Sequence, residues 1–184
     1  MTPKTAGKLA LPFFILVSLA CTQGTRLGLP WVGLALFIVL APFFLWHAPQ
    51  IKERIILSLQ VAAAGFILET ALIFFGVYQV AAHARWLVPA PFCPEWILGL
   101  WINFGFMLNI YWRLLSKSRL TAVVIGIVFS ILIFGNAAFI GLLTLRTPLW
   151  TGFAIIAACW AVLIPILAHW AARYFGGVHD AATK

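Results

Sequence analysis

Apolar residues gather in six long runs, at 9–23, 30–46, 55–77, 96–116, 120–143 and 149–173. A helix needs about 20 mostly apolar residues to cross a bilayer core roughly 30 Å thick, and the last four runs reach that length. The first two are shorter and read either as thin spans or as a tilted hairpin. Helix breakers at Gly24-Thr25-Arg26 and Gly28-Leu29-Pro30 separate them. Pro49, Pro89, Pro91, Pro94 and Pro148 fall in later gaps, where a residue without an N–H ends a helix. The pattern predicts an all-α, polytopic membrane protein with six transmembrane helices, forming one domain over residues 1–184.

Composition agrees. Of 184 residues, 64% are hydrophobic and only 9% charged, whereas soluble domains are about half apolar and a quarter charged. Mean hydropathy is +1.08. Nine Trp and sixteen Phe suit aromatic belts at two membrane interfaces. Trp31, Trp86, Trp96, Trp112, Trp150 and Trp170 lie at expected interfaces, and Trp101 lies deeper.

The net charge of +8 is topological rather than a nucleic-acid footprint, because the basic residues sit between apolar runs and not on one solvated face. With both termini cytoplasmic, Lys4, Lys8, Lys52, Arg54, Arg113, Lys117, Arg119, Arg173 and Lys184 lie inside; Arg26, Arg85 and Arg146 lie outside. Nine against three satisfies the positive-inside rule at every loop, and an odd number of spans would spoil it. The charge pattern therefore predicts a multi-pass protein with both ends on the cytoplasmic side of the membrane. Lys4 and Lys8 ahead of Leu9–Ala20 and Cys21 resemble a signal sequence. However, Ser18-Leu19-Ala20-Cys21 lacks the Leu of a lipidation site, so a retained first helix is expected.

One polar position stands out. Glu69 lies inside Ile55–Val77, and a carboxyl group within a span must face a partner, a cavity or a proton. Counting 1.5 Å per residue places it roughly 4–5 Å to the outer side of its helix centre. Asn103 falls at similar depth and Asn136 slightly further out. This level suggests an outward polar pocket, with Glu69 as proton carrier, general acid/base or cation partner and the two amides as hydrogen-bonding groups. Arg26, Glu95 and Trp101 lie near the same level. Asn109 and Arg113, four residues apart on one helix face, are inner-side candidates with Gln60. The plainer reading makes the amides interhelical glue, lets Glu95 cap its helix, and leaves Glu69 bonded to a backbone carbonyl. On the fifth run, Gly126/Ser130 and Ala137/Gly141 give small-xxx-small spacing that favours close helix approach.

Cys21, Cys93 and Cys159 are scattered, and the four His form no ligand set, so no metal site is expected. No Walker, dinucleotide-binding or nucleophile-elbow motif implies a cofactor.

The segments G-L-P-W-V-G at 28–33, G-F-I-L-E-T-A-L-I-F-F-G at 65–76, P-E-W-I-L-G-L-W-I-N-F-G-F-M-L-N at 94–109 and W-A-V-L-I-P-I-L at 160–167 carry a resemblance over nearly the whole chain. It resembles a family of small bacterial inner-membrane proteins known only as domain of unknown function twenty-eight seventy-eight. The resemblance implies an acidic residue, often Asp, at position 69 and an Asn at 109. Pro94, Trp96, Trp101 and Asn109 match. Glu at 69 departs, as does Phe134-Gly135-Asn136 where the family commonly has Gly-Pro. No activity comes with the family. Its members accompany cyclopropane-synthase-like methyltransferases and flavin-dependent oxidoreductases, which associates it with envelope lipid metabolism.

Three functions stay open: membrane-lipid modification or handling, small-solute transport or binding, and a structural or assembly role. Membrane lipids are the expected partner, with another membrane protein or a second copy as further candidates. Transport would call for broken helices at mid-membrane, and the chain offers no clear example.

Overall fold

The computed structural model describes residues 3–45, 50–116 and 118–182, with the side chains of 3–8, 44, 109, 112, 113, 116 and 176–182 outside the description. The charge and polar assignments made above for Lys4, Lys8, Asn109, Trp112, Arg113, Lys117 and Lys184 therefore lie outside it, as does Pro49. Six α-helices follow one another: α1 (Pro3–Arg26), α2 (Val32–Leu45), α3 (Ile51–Phe74), α4 (Glu95–Ser116), α5 (Arg119–Phe139) and α6 (Leu149–Ala182). The predicted all-α membrane class is the observed one.

Among the described residues, four helical stretches are long and apolar enough to cross a membrane: Leu9–Arg26, Ile51–Phe74, Arg119–Phe139 and Leu149–Phe175. The apolar stretches Val32–Phe43 of α2 and Glu95–Leu108 of α4 are shorter within those residues, although α4 itself has 22 residues. Of the two runs expected to be short, only the second is. Residues Pro3–Lys8 continue α1 to 24 residues, whereas α2 has 14, about 21 Å at 1.5 Å per residue. Much of the apolar surface faces outward, with Ile38, Phe43, Leu132 and Val162 each more than 60% exposed. A protein in water does not present so much contiguous apolar surface, and a lipid solvent explains it.

The helices alternate in direction. Trp31, after α1, meets Trp86, after α3, with ring centroids 6.5 Å apart. The loops after α3 and α5 are joined at that same end by a strand pair, β1 (Tyr78–Val80) with β2 (Leu143–Leu145). They run antiparallel in the register Tyr78↔Leu145, Gln79↔Thr144 and Val80↔Leu143. At the opposite end the Arg54 guanidinium lies 5.8 Å from the Phe175 ring, bringing the start of α3 to the end of α6.

This strand pair was not expected, and its cause is local. Both α3 and α5 end in the same Schellman turn. Val77 N–H donates to Leu72 O at 2.9 Å and Gly76 N–H to Ile73 O at 3.0 Å. Leu142 N–H donates to Ala137 O at 2.9 Å and Gly141 N–H to Ala138 O at 3.1 Å. Gly76 and Gly141 take φ of 72° and 78°, a left-handed backbone that a side chain resists. Each turn releases the chain into a strand one residue later. Gly141 is therefore a turn residue, not part of a small-residue helix face as its spacing suggested.

Inside the bundle, glycines let helices touch. A Cβ added at Gly65 would collide with the indole of Trp101, and one at Gly105 would stand 2.8 Å from Ser58 Cα. At Gly126, from the predicted small-residue face, it would stand 2.7 Å from the Trp160 carbonyl oxygen. Gly135 has open space around it. Gly65→Val is expected to destabilise the detergent-purified protein by about 1–3 kcal/mol through overpacking, measured by thermal unfolding. Gly135→Ala is expected to be neutral or stabilising by up to about 1 kcal/mol.

Candidate functional site

Glu69 sits five residues before the end of α3, fully buried. The Schellman turn beyond it folds β1 back over the helix end and delivers Tyr78 to the carboxyl group. Tyr78 Oη donates to Glu69 Oε2 at 2.7 Å, and Trp160 Nε1 of α6 donates to Oε1 at 3.2 Å. The indole of Trp101, from α4, also lies against the carboxyl group. Among the described residues no cation pairs with Glu69.

Aromatic rings close this cluster. Trp101 and Trp160 lie 4.5 Å apart between centroids with their rings tilted by 40°, Phe134 of α5 meets Tyr78 at 5.3 Å, and Phe134 meets Trp160 edge-on at 6.1 Å. Neither described cavity is lined by Glu69. The nearer one, bordered by Trp101, Phe134 and Trp160, holds about 20 Å³ and is almost wholly apolar, room for about one water with too few polar partners to keep it.

The chemistry follows from the donor inventory. An indole N–H can only donate, so Oε1 must accept. A phenol both donates and accepts, so a neutral carboxyl can reverse its bond to Tyr78 and keep both contacts. The cluster thus holds a buried acid with no counter-ion among the described residues, and joins α3, β1 and α6 through one side chain.

The other predicted residues do not converge on it. Asn103 is fully buried but turned to α1, where its Nδ2 donates to Phe14 O at 3.0 Å and Ser18 Oγ at 3.2 Å. Its Oδ1 has no partner among the described residues. Asn136 is exposed near the end of α5. Helix rotation sends the three polar groups to different surroundings, so among the described residues Glu69, Asn103 and Asn136 do not line one pocket. Arg26 is exposed at the end of α1. Asn109 and Arg113 lie on α4 with side chains outside the description. Trp96, at the start of α4, is buried among side chains, while Trp31, Trp86 and Trp150 are exposed.

Glu95 meets its own backbone N–H at the start of α4, as an acid at a helix N-terminus can, and it also serves the loop before that helix. From the first position of α4 it reaches back and accepts from Trp86 N–H at 3.2 Å, Leu87 N–H and Val88 N–H at 2.6 Å. Arg85 Nη1 donates to Phe92 O at 2.8 Å across the same loop. Cys93 N–H donates to Thr70 Oγ1 at 3.0 Å, tying the loop to α3. Burial pushes the Cys93 thiol well above its ordinary range, so it is not poised as a nucleophile. Among the described residues no group of three or more His, Cys, Asp or Glu could hold a metal ion.

A second feature lies nearer the Arg54 end. A groove of about 550 Å³ runs between α3, which contributes Gln60, Ala63, Ala64 and Ile67, and α6, which contributes Trp170, Arg173 and Tyr174. Sequence reading marked Gln60 and placed Trp170 at an interface, but no spacing rule connects positions more than a hundred residues apart.

A multi-helix membrane protein with a sealed acid cluster near one end and a lateral groove nearer the other is the class these features define. The chain belongs to the family described as Protein of unknown function (DUF2878), whose sequence profile matches residues 9–166. No curated protein and no solved structure matches it.

Tyr78→Phe is expected to destabilise the fold by about 1–3 kcal/mol, because the carboxyl loses a buried partner. Combined with Glu69→Gln it should cost less than the sum of the two, with a coupling of about 0.5–3 kcal/mol in a double-mutant cycle. Strict additivity would show that the contact carries no energy. Glu95→Ala is expected to speed amide hydrogen exchange at Trp86, Leu87 and Val88 while leaving α3 and α6 protected.

Proposed function

We propose that this chain is a multi-pass protein of the bacterial inner membrane, with both termini in the cytoplasm, that handles or modifies membrane lipid. The observation that carries the reading is the groove between α3 and α6. It opens sideways toward the surrounding lipid, and its lining grades from Arg173 and Tyr174 at one end to Ala64 and Ile67 at the other. An amphiphile has the same gradation. The alternating helix directions and the nine-to-three distribution of basic residues support the orientation.

Glu69 fits this reading as a fastener. Its carboxyl is enclosed by side chains, and a general acid or base must come within hydrogen-bond reach of a substrate. Transport gains less support, since neither of the two described cavities is lined by the acid, whereas an acid on an ion or substrate path faces a water-filled cavity.

Comparing lipid extracts of cells with and without the protein tests the proposal. At least one lipid species is expected to change in abundance, and identical profiles under every growth condition would overturn it. Glu69→Gln, reintroduced and accumulating normally, is expected to restore the original profile; failure to do so would assign the acid a chemical role.

A further inference from the structure

We infer that the groove between α3 and α6 binds one anionic phospholipid of the cytoplasmic leaflet, its phosphate held at Arg173 and an acyl chain lying along Ala63, Ala64 and Ile67. The inference rests on the lipid-handling reading and narrows it to a headgroup class.

The donors decide the ligand. Gln60, Trp170, Arg173 and the Tyr174 hydroxyl all line the groove, and none of their side chains has a hydrogen-bond or ion-pair partner among the described residues. Arg and Trp have no acceptor to offer. A wall of such groups complements oxygens that only accept, and a phosphodiester presents them with a negative charge. A zwitterionic lipid also brings a phosphate, but its ammonium would find no carboxylate among the residues lining the groove.

Depth fits as well. The Arg54–Phe175 contact fixes the level of Arg173 and Tyr174. From Arg54, Gln60 lies about 9 Å and Ile67 about 20 Å along α3. Arg173 and Tyr174 therefore stand at the membrane edge, Gln60 partway down one leaflet's depth of roughly 15 Å, Ala63 and Ala64 close to its full depth, and Ile67 past it. Ala63 and Ala64 leave a furrow where larger side chains would fill it. Trp170 and Tyr174 are the amphipathic rings that favour the headgroup level.

The test uses the full chain, delipidated in detergent, and native mass spectrometry with phosphatidylglycerol or phosphatidylcholine of identical acyl chains. One phosphatidylglycerol is expected to be retained in preference to phosphatidylcholine. Arg173→Gln is expected to weaken it about tenfold or more. Arg119→Gln, an exposed arginine outside the groove, should leave it unchanged. Ala63→Phe, at an exposed position, should weaken both lipids by filling the furrow, with unchanged helicity confirming the fold. Equal retention of the two lipids, still lost in Ala63→Phe, would overturn the headgroup assignment and leave the lipid groove standing. Retention unaffected by Ala63→Phe would overturn the groove as a lipid site altogether. Displacement of phosphatidylglycerol by millimolar inorganic phosphate would show a free-anion site instead.

Discussion

The bundle depends on keeping one carboxyl group satisfied where water does not reach. A buried polar group without a partner costs several kcal/mol in hydrocarbon. Glu69 meets that demand with Tyr78 and Trp160, which belong to different segments. Moving α6 away would strand both the indole and the acid. Lifting β1 would strand the phenol. The carboxyl therefore turns a local requirement into a constraint on three elements at once, and the Trp101–Trp160 ring contact adds α4. Because β1 is paired in register with β2, the constraint also passes to the connection between α5 and α6.

How the acid acquires these partners is a matter of turn chemistry. Phe74-Phe75-Gly76-Val77-Tyr78 and Phe139-Ile140-Gly141-Leu142-Leu143 share a pattern: helix end, glycine, apolar residue, strand. The two glycines adopt similar positive φ, so the two exits have similar geometry and the strands they release can pair. Glu95 stabilises the next stretch by collecting three consecutive backbone N–H groups. A connection at a membrane surface must satisfy its backbone without a helix ladder, and here a strand pair and a carboxylate do so.

Much of this architecture was legible in the sequence, because spans announce themselves by length and apolarity. The importance of Glu69 was legible too, since a carboxyl inside an apolar run is costly wherever it points. Its partners were not. Tyr78 lies beyond the helix-ending Gly76 and looked like loop; the repeated Phe-x-Gly-apolar signal at 74–77 and 139–142 could have marked both turns. Trp160 looked like scaffold because nothing in an apolar run says which indole faces inward. Asn103 and Asn136 illustrate the same limit. Counting residues gives depth along a helix, but bringing side chains together also requires rotation. Asn103 is about 200° around α4 from Trp101, so when the tryptophan faces Glu69 the amide faces α1.

The cluster and the groove share two helices, and that links them. α3 and α6 are pinned at Glu69–Trp160 and again at Arg54–Phe175. Fifteen residues of α3 separate the pins, about 22 Å. The groove lies between them, where Gln60 to Ile67 face Trp170 to Tyr174. Two helices held at both ends cannot close on a gap between by tilting about either one; closing it requires larger side chains at its small positions or an occupant. Ala63 and Ala64 supply no such bulk. The acid at one end therefore holds together, through Trp160, the two helices that border a lateral opening it does not line.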